Sequence, residues 1–358
     1  MRICREIILI ASVFVVLVIV SFEYYNFNKW TLFEQDFNRV IIVCVNKTSS
    51  EKEVVTHPTT QSSLDVEAEK DSKRKRESVI KVCQKYNVTN VMERQAHSKN
   101  RKRARQRRNV LDHLLVNKEH KVLFCFIPKI SCTNMQSIFA VMDGLYPSVE
   151  EVNGPWVHTQ VVRLSNKKFN KRQGEYMLKN FYKFMIVRDP FERLVSGYRD
   201  KFQNKKSIKF WAPLGKRIIK KYRYNNTNSA TVVTGLDVSF TEYVRYLIDN
   251  PPWRVNEHWV PYKDLCRPCE VKYDFIGSIE NLNRDVTHAM KQIHANETKY
   301  HVMRTSAALT KTKRKTANFL KELSRKYFDQ LLAAYKTDHE LFGYPLPEYD
   351  TLDKRYPA

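Results

Sequence analysis

Glycine is scarce in this chain, eight residues in 358, and no G-x-x-x-x-G-K-[ST] string occurs, so a Walker-type phosphate loop is excluded. Asp-x-Asp triplets are also missing, which removes the metal–nucleotide ligand of many glycosyltransferases. Acidic residues are in deficit. The 38 Asp and Glu face 62 Lys and Arg, leaving a formal charge of +24 that suits anionic partners. Seven cysteines include one CxxC, Cys266 to Cys269, with no second CxxC and no matching histidine pair, so zinc is not expected. In an oxidising compartment these two cysteines are expected in one disulfide or in two separate ones, while Cys125 and Cys132 read either as further disulfide partners or as buried thiols. From Asn46 to Arg76 there are no aromatics, and that stretch lacks the apolar surface to fold.

What is present is unevenly spread. Residues 99–108, KNRKRARQRR, hold seven basic side chains in ten, and KRKR at 73–76 adds four. Such blocks read as solvated linkers, nuclear signals or polyanion-binding arms. The amino terminus decides among them. Ile7 to Phe22 carries no charge, Arg2 and Arg5 precede it, and no small-x-small cleavage site follows. Sixteen residues at ~1.5 Å each span about 24 Å, enough for a thin early-secretory membrane. The basic flank places the amino end in the cytoplasm. The expected organisation is a cytoplasmic tail (1–6), a transmembrane signal anchor (7–22), a lumenal stem, largely disordered and basic (23–110), and a globular domain (111–358). The anchor removes the nuclear reading. Four Asn-x-Ser/Thr sequons, at Asn46, Asn87, Asn225 and Asn296, are glycosylation candidates in a lumenal body.

After Val110 strand-like and helix-like runs alternate. KVLFCFIP (121–128) and FYKFMIV (181–187) are short continuous apolar runs, as doubly covered parallel strands read. A late run, FLKELSRKYFDQLLAAY, puts Leu320, Leu323, Tyr327, Leu331 and Tyr335 on one helical face. The expected class is α/β, a parallel central sheet flanked by helices, with ligands beyond the carboxyl ends of the strands.

Two segments sit at that position, PKISCTN (128–134) and RDPFERLVS (188–196). In the first, Lys129 brings a charge, and Ser131, Thr133 and Asn134 bring hydroxyl and amide donors to a helix start, which favours phosphate. In the second, Asp189 is placed to cap a helix with Pro190 at its first position. Arg188 and Ser196 both aim at one crevice. Either turn alone is explained by helix capping; together they suggest a ligand that is anionic at two separated points.

PKISCTN followed by RDPFERLVSGYRDKF resembles the two nucleotide-binding motifs of the Golgi carbohydrate sulfotransferases. The branch it is most similar to holds the human natural killer-1, chondroitin 4-O-, dermatan 4-O- and GalNAc 4-O-sulfotransferases. The likeness continues through NEHW (256–259), LCRPC (265–269), YDFIG (273–277) and D-x-x-x-FGY (338–344). The chain departs from the pattern at Ile130-Ser131, where Val-Ala is usual, and at Met135, where Trp is common.

The resemblance implies a P-loop-like sulfotransferase fold and 3′-phosphoadenylyl sulfate (PAPS) as co-substrate, with no metal. Carried over by motif, Pro128, Lys129, Ile130, Ser131, Cys132, Thr133 and Asn134 hold the 5′-phosphosulfate. Arg188, Asp189, Pro190, Phe191, Glu192, Arg193, Leu194, Val195 and Ser196 hold the 3′-phosphate. Lys129 is expected to stabilise the leaving phosphate. A sugar hydroxyl also needs a general base. His158, in PWVHTQ, stands at a place resembling the catalytic histidine of uronyl 2-O-sulfotransferases; His258 is its rival, with Glu257 beside it.

The basic run from Arg199 to Arg223 suits an anionic polysaccharide, and Trp156, Trp211 and Trp259 are either sugar-stacking or core residues. The implied acceptor is a glycosaminoglycan, sulfated on the 4-OH of GalNAc in chondroitin or dermatan. The alternatives are a glucuronic acid of the human natural killer-1 type, GalNAc of N-glycans, or a non-catalytic membrane-tethered polyanion binder. No nucleic-acid partner is expected, a homo-oligomer is compatible, and the implied location is the Golgi membrane in type II orientation.

Overall fold

The computed structural model describes residues 60–87, 110–152, 154–224, 232–250, 255–296, 299–300 and 315–357. Among them, the sheet has four strands in the order β1 (Leu114–Asn117), β2 (Val122–Cys125), β3 (Tyr182–Val187) and β4 (Phe275–Ser278). β2, β3 and β4 are parallel, with Phe124 opposite Phe184 and Phe184 opposite Phe275. β1 runs antiparallel to β2. The expected parallel sheet is therefore a mixed one: a short turn after Asn117 folds β1 back onto β2, and no crossover intervenes. All residues of β1, β2 and β4 are buried, as continuous apolar runs require when helices cover both faces.

The helices that position the site are α1 (Thr60–Lys85), α2 (Cys132–Met142), α3 (Val157–Gln160), α4 (Lys171–Asn180), α5 (Pro190–Tyr198), α6 (Ile208–Tyr222), α7 (Phe240–Asp249), α8 (Leu282–Gln292) and α9 (Arg325–Phe342). The core under the site is aromatic. The Phe124 ring lies 4.7 Å from that of Phe184 and 6.1 Å from that of Phe139 on α2. The late apolar face is cut in two. Ser324, whose hydroxyl accepts from the Tyr327 N–H at 3.4 Å, caps α9, so Leu320 and Leu323 precede the helix that carries Leu331 and Tyr335.

The largest correction concerns the stem. Residues 60–85, expected to be disordered, form a 26-residue helix. Its buried stripe is narrow and made of small or modest residues, Ala68, Ser72, Val79 and Val82. Ser72 Oγ accepts from the Ile276 N–H at 2.9 Å, which satisfies an edge amide of β4 and closes that edge to other strands. Ion pairs from Asp65 to Lys291 (2.8 Å) and from Asp71 to Arg284 (2.8 Å) fasten α1 to α8, and Ser78 Oγ donates to the Glu340 carbonyl on α9 at 2.8 Å. A disulfide joins Cys83 to Cys269, and a second joins Cys125 to Cys266. The CRPC cysteines thus enter separate bonds. Of the two cysteines left with both readings, Cys125 pairs and Cys132 does not; among the described cysteines Cys132 alone is free.

The segment Ile7–Phe22, Asn46 and Asn225 lie outside the described residues. No helix among the described residues is long and apolar enough to cross a membrane. Asn87 and Asn296 are both exposed.

Candidate functional site

Both expected turns emerge from neighbouring parallel strands at their carboxyl ends. After β2 the chain turns through Lys129 (φ 73°) and Ser131 (φ 53°) before α2 begins. Left-handed backbone at two residues that are not glycine costs about 1–2 kcal/mol each. The sequence spends conformational strain here and keeps side chains where glycine would have offered none. Lys129, Ser131, Cys132, Thr133 and Asn134 are half-buried, whereas Pro128 and Ile130 point inward and can offer a ligand only backbone. Asn134 Nδ2 donates to Ser131 Oγ at 2.8 Å, which fixes the loop across its mouth. Burial raises the Cys132 pKa, so the thiol stays protonated and is no nucleophile.

Lys129 Nζ sits 3.0 Å from Asp200 Oδ2, and Lys201 Nζ meets the same oxygen at 3.0 Å. Burial alone would raise the Asp200 pKa, but Lys129 and Lys201 outweigh it and hold the carboxyl down at about 2. Asp200 lies in a single π-helical turn, Arg199–Gln203, that follows α5. Sequence reasoning passed over it, and took Lys201 only as part of a basic run. Asp200 stands in the RDKF end of the second motif, but helical spacing from Ser196 does not give its bearing, because the π turn sets it.

Two histidines face this cluster. His158, on α3, has Nε2 3.3 Å from Thr133 Oγ1. Its pKa is lowered by burial, then by Arg163 and Lys201, so it is neutral at pH 7 and able to accept a proton. His258 is pushed much further, to about 3, by burial and then by Lys201 and Lys129. Its Nδ1 is 2.5 Å from Asn256 Oδ1, and its ring packs against Trp211 at 5.8 Å. Glu257 is turned aside, its carboxylate 3.7 Å from His113 Nε2.

The second turn is built differently. From Arg188 to Val195 every residue is buried, and only Ser196 is half-exposed. Asp189 Oδ1 caps α5, accepting from the Phe191 and Glu192 amides at 3.0 and 3.1 Å, as the sequence suggests. The same carboxylate is gripped by Arg355 at 2.6 Å and by the Tyr356 hydroxyl at 3.1 Å. Arg193 is wholly internal: it donates to the carbonyls of Pro128 (3.2 Å), Val260 (2.8 Å) and Glu257 (3.2 Å), with its guanidinium 4.9 Å from the Tyr262 ring centre. It binds the two turns to each other. Phe191, Leu194 and Val195 are core side chains. Gly197 is where α5 meets Trp259, because an added Cβ would come within 2.9 Å of the indole nitrogen. Trp259 is therefore core, not a sugar platform; Trp211 covers Lys201 (5.0 Å), and Trp156, two residues before His158, is 68% exposed.

Arg188, like Arg193, touches the first turn. Its side chain reaches the Lys129 carbonyl at 3.5 Å and Glu192 at 3.4 Å, and its Nε–H is buried without a partner. Burial and then Arg188 lower the pKa of Arg199, so two guanidiniums stand close together. A buried unpaired donor close to a second guanidinium concentrates positive charge at this turn. Its backbone is held by the Tyr262 hydroxyl, which donates to the Arg188 carbonyl at 2.8 Å. Tyr262 is in turn anchored through its own N–H to Asp338 at 2.6 Å, which explains the aspartate of D-x-x-x-FGY. Beside this point, at the carboxyl end of β4, α1 and Tyr344 enclose a cavity of about 560 Å³. No group of metal-ligating side chains occurs among the described residues.

A family model described as "Sulfotransferase family" matches residues 112–345. "Carbohydrate sulfotransferase 14" of Danio rerio is 36% identical over 246 residues, covering 69% of this chain and 66% of that protein. "Carbohydrate sulfotransferase 11" of Rattus norvegicus is 35% identical over 251 residues, 68% of this chain and 70% of its own. "Carbohydrate sulfotransferase 10" of Pongo abelii is 33% identical over 253 residues, with 67% and 69% covered. The chain thus spans about two thirds of the length of these relatives. No solved structure matches.

Proposed function

The chain belongs to the sulfotransferase family, and from that premise we propose that it transfers the sulfonyl group of PAPS to a hydroxyl of an anionic glycan. The observation that carries this reading is the pair of cationic turns at adjacent strand ends, with Lys129 half-exposed and the buried guanidinium of Arg188 against its carbonyl. Such a pair fits a ligand charged at both ends. Lys129 and the α2 amino terminus take the phosphosulfate; Arg188, Arg199 and Ser196 take the 3′-phosphate. The cavity at β4 leaves room for the remainder of the nucleoside.

The step proceeds by in-line displacement at sulfur. His158 Nε2 takes the proton of the acceptor hydroxyl as its oxygen bonds to sulfur. The bridging S–O bond breaks, and the electron pair goes to the departing 5′-phosphate oxygen, whose new charge Lys129 meets. Asp200 holds Lys129 in the resting protein and yields it to the more highly charged phosphate. His158 is the better base: it is only half-buried and faces Thr133, whereas the His258 pKa of about 3 makes it a weak proton acceptor at neutral pH. His258, tied to Asn256 and Trp211, shapes the pocket wall.

We assign the acceptor to chondroitin or dermatan, sulfated on the 4-OH of GalNAc. The basic residues of α6 and the exposed Trp156 beside His158 support a carboxylated chain over a neutral one. The anchor at Ile7–Phe22, a Golgi location and glycosylation at the sequons belong to the same proposal; the two disulfides suit an oxidising lumen.

The test is label transfer from radioactive PAPS by a soluble fragment that begins before Thr60, so that α1 is kept, with a panel of desulfated polysaccharides. Product disaccharide analysis then gives the position. Absence of both transfer and PAPS binding would leave only the polyanion-binding alternative standing.

A further inference from the structure

The opposite end of the sheet holds a second feature that donor binding does not use. Where the β1–β2 turn meets α2, a cavity of about 470 Å³ is lined by Lys118, Lys168, Lys299, Phe169, Tyr300 and Asp143. The three lysines are exposed, and two stand beside rings: Lys168 Nζ is 5.4 Å from the Phe169 centre and Lys299 Nζ 5.6 Å from that of Tyr300. At the wall, Asp143 Oδ1 accepts from Asn117 Nδ2 at 2.8 Å, while Oδ2 is buried without a partner. Burial raises the Asp143 pKa, while Asn117 and Lys168 oppose the shift; Glu119 is the other carboxylate on its lining.

Ammonium groups beside rings at the mouth of one cavity match a sugar that carries a carboxylate or sulfate. The sugar ring packs on the half-buried Phe169 and the anion pairs with lysine. One continuous segment connects this cavity to the reacting centre. His158 lies at one end; Arg163, whose guanidinium donates to the His158 carbonyl at 3.1 Å, follows; Lys168 is at the other end. The cavity lies at the amino end of β2 and Lys129 beyond its carboxyl end, a separation of about 20 Å at ~3.3 Å per residue. Only an extended chain can touch both.

We propose that this cavity is a second saccharide subsite, which binds an anionic sugar of the acceptor polymer several units away from the hydroxyl that reacts. The proposal rests on the sulfotransferase reading for the identity of the polymer, and on the cavity for its place. It makes the protein selective for long acceptors over short ones.

The experiment compares the unmutated α1-containing fragment with a Lys168→Ala/Lys299→Ala variant. Calorimetry measures binding of desulfated chondroitin polymer and of a short oligosaccharide that fills the catalytic crevice alone; PAPS-dependent transfer to each is measured alongside. The variant should lose about tenfold in polymer affinity, with KM for polymer rising alike. Its binding of the oligosaccharide and its kcat should be unchanged. A Lys168→Glu/Lys299→Glu variant should lose more, and the difference between variants should shrink as salt rises. Equal losses for both ligands, or no loss for polymer, overturn the subsite. Polymer binding with the expected loss but no transfer by the unmutated protein keeps the subsite and overturns the enzyme.

Discussion

Beyond β2, the turn at 128–134 leaves Lys129, Ser131, Thr133 and Asn134 half-exposed on strained backbone, whereas beyond β3 the turn at 188–196 is buried from Arg188 to Val195. In composition the two are alike, each with a proline, at least one cation and at least one hydroxyl. Their structural work differs. The first presents side chains to the crevice. The second is mostly wall: Asp189 ties the helix to the carboxyl-terminal tail, Arg193 ties the wall to the first turn, and Arg188 and Ser196 are the residues assigned to the ligand in the proposed function. A motif of nine residues thus contains more architecture than contact, and substitutions in the two turns should fail in different ways.

The widest separation is expected between Arg193→Ala and Lys129→Ala. Removing Arg193 orphans two buried carbonyls and a part-buried one and opens a void under Tyr262, which should cost about 3–5 kcal/mol and lower the melting temperature by many degrees. Lys129→Ala should leave thermal unfolding nearly unchanged, since its partner Asp200 is part-exposed, yet lower kcat by about a hundredfold to a thousandfold. Calorimetric melts and single-turnover rates on both variants decide it. A stable, inactive Arg193→Ala, or an unfolded Lys129→Ala, would reverse the roles given to the two turns.

How far this division can be read beforehand depends on what kind of signal each part leaves. Strand runs of four to six apolar residues, a Pro after a capping Asp, and helical spacing in α5 are local signals, and they place both turns correctly. Helix α1 leaves almost none. Its buried stripe consists of Ala68, Ser72, Val79 and Val82 amid Lys, Arg and Glu, so average composition reads as solvent-exposed chain. The partners that order it, Ile276, Arg284, Glu340 and Cys269, lie about two hundred residues or more away. Asp200 was hidden for another reason. In an uninterrupted helix its bearing would differ, and the π turn at Arg199–Gln203 adds the rotation that brings it to Lys129.

A smaller effect separates the two histidines by pH. His158→Ala should lower kcat by about a hundredfold or more. In the unmutated protein the acid limb of kcat/KM should fall below pH 6.5, the ordinary histidine value, because burial, Arg163 and Lys201 depress His158. That limb should vanish in the variant. His258 should appear in stability instead. Its folded pKa, about 3, lies below the unfolded value of about 6.5, so its contribution is complete above pH 6.5 and is lost as pH falls toward 3. His258→Gln should flatten the melting temperature over that window and leave the position of the acid limb unmoved. An acid limb that follows His258 would exchange their assignments.

The smallest expected effect bears on the first turn's own reserve. In the resting protein Lys129 is bound to Asp200, so the donor must draw the ammonium away from a carboxylate held ionised at about pKa 2. Asp200→Asn removes that competitor and keeps the shape. Affinity for adenosine 3′,5′-bisphosphate should therefore rise about threefold to tenfold, the scale of a part-exposed ion pair of about 1 kcal/mol. Since Lys129 meets the leaving phosphate in both proteins, kcat should change by less than that. A fall in kcat of a hundredfold would mean that Asp200 takes part in the proton transfer, and the base would then come from the second motif's helix instead of from α3. Weaker nucleotide binding would mean that Asp200 orients Lys129 toward the phosphate, making the pair a fixed part of the cradle and not a resting contact.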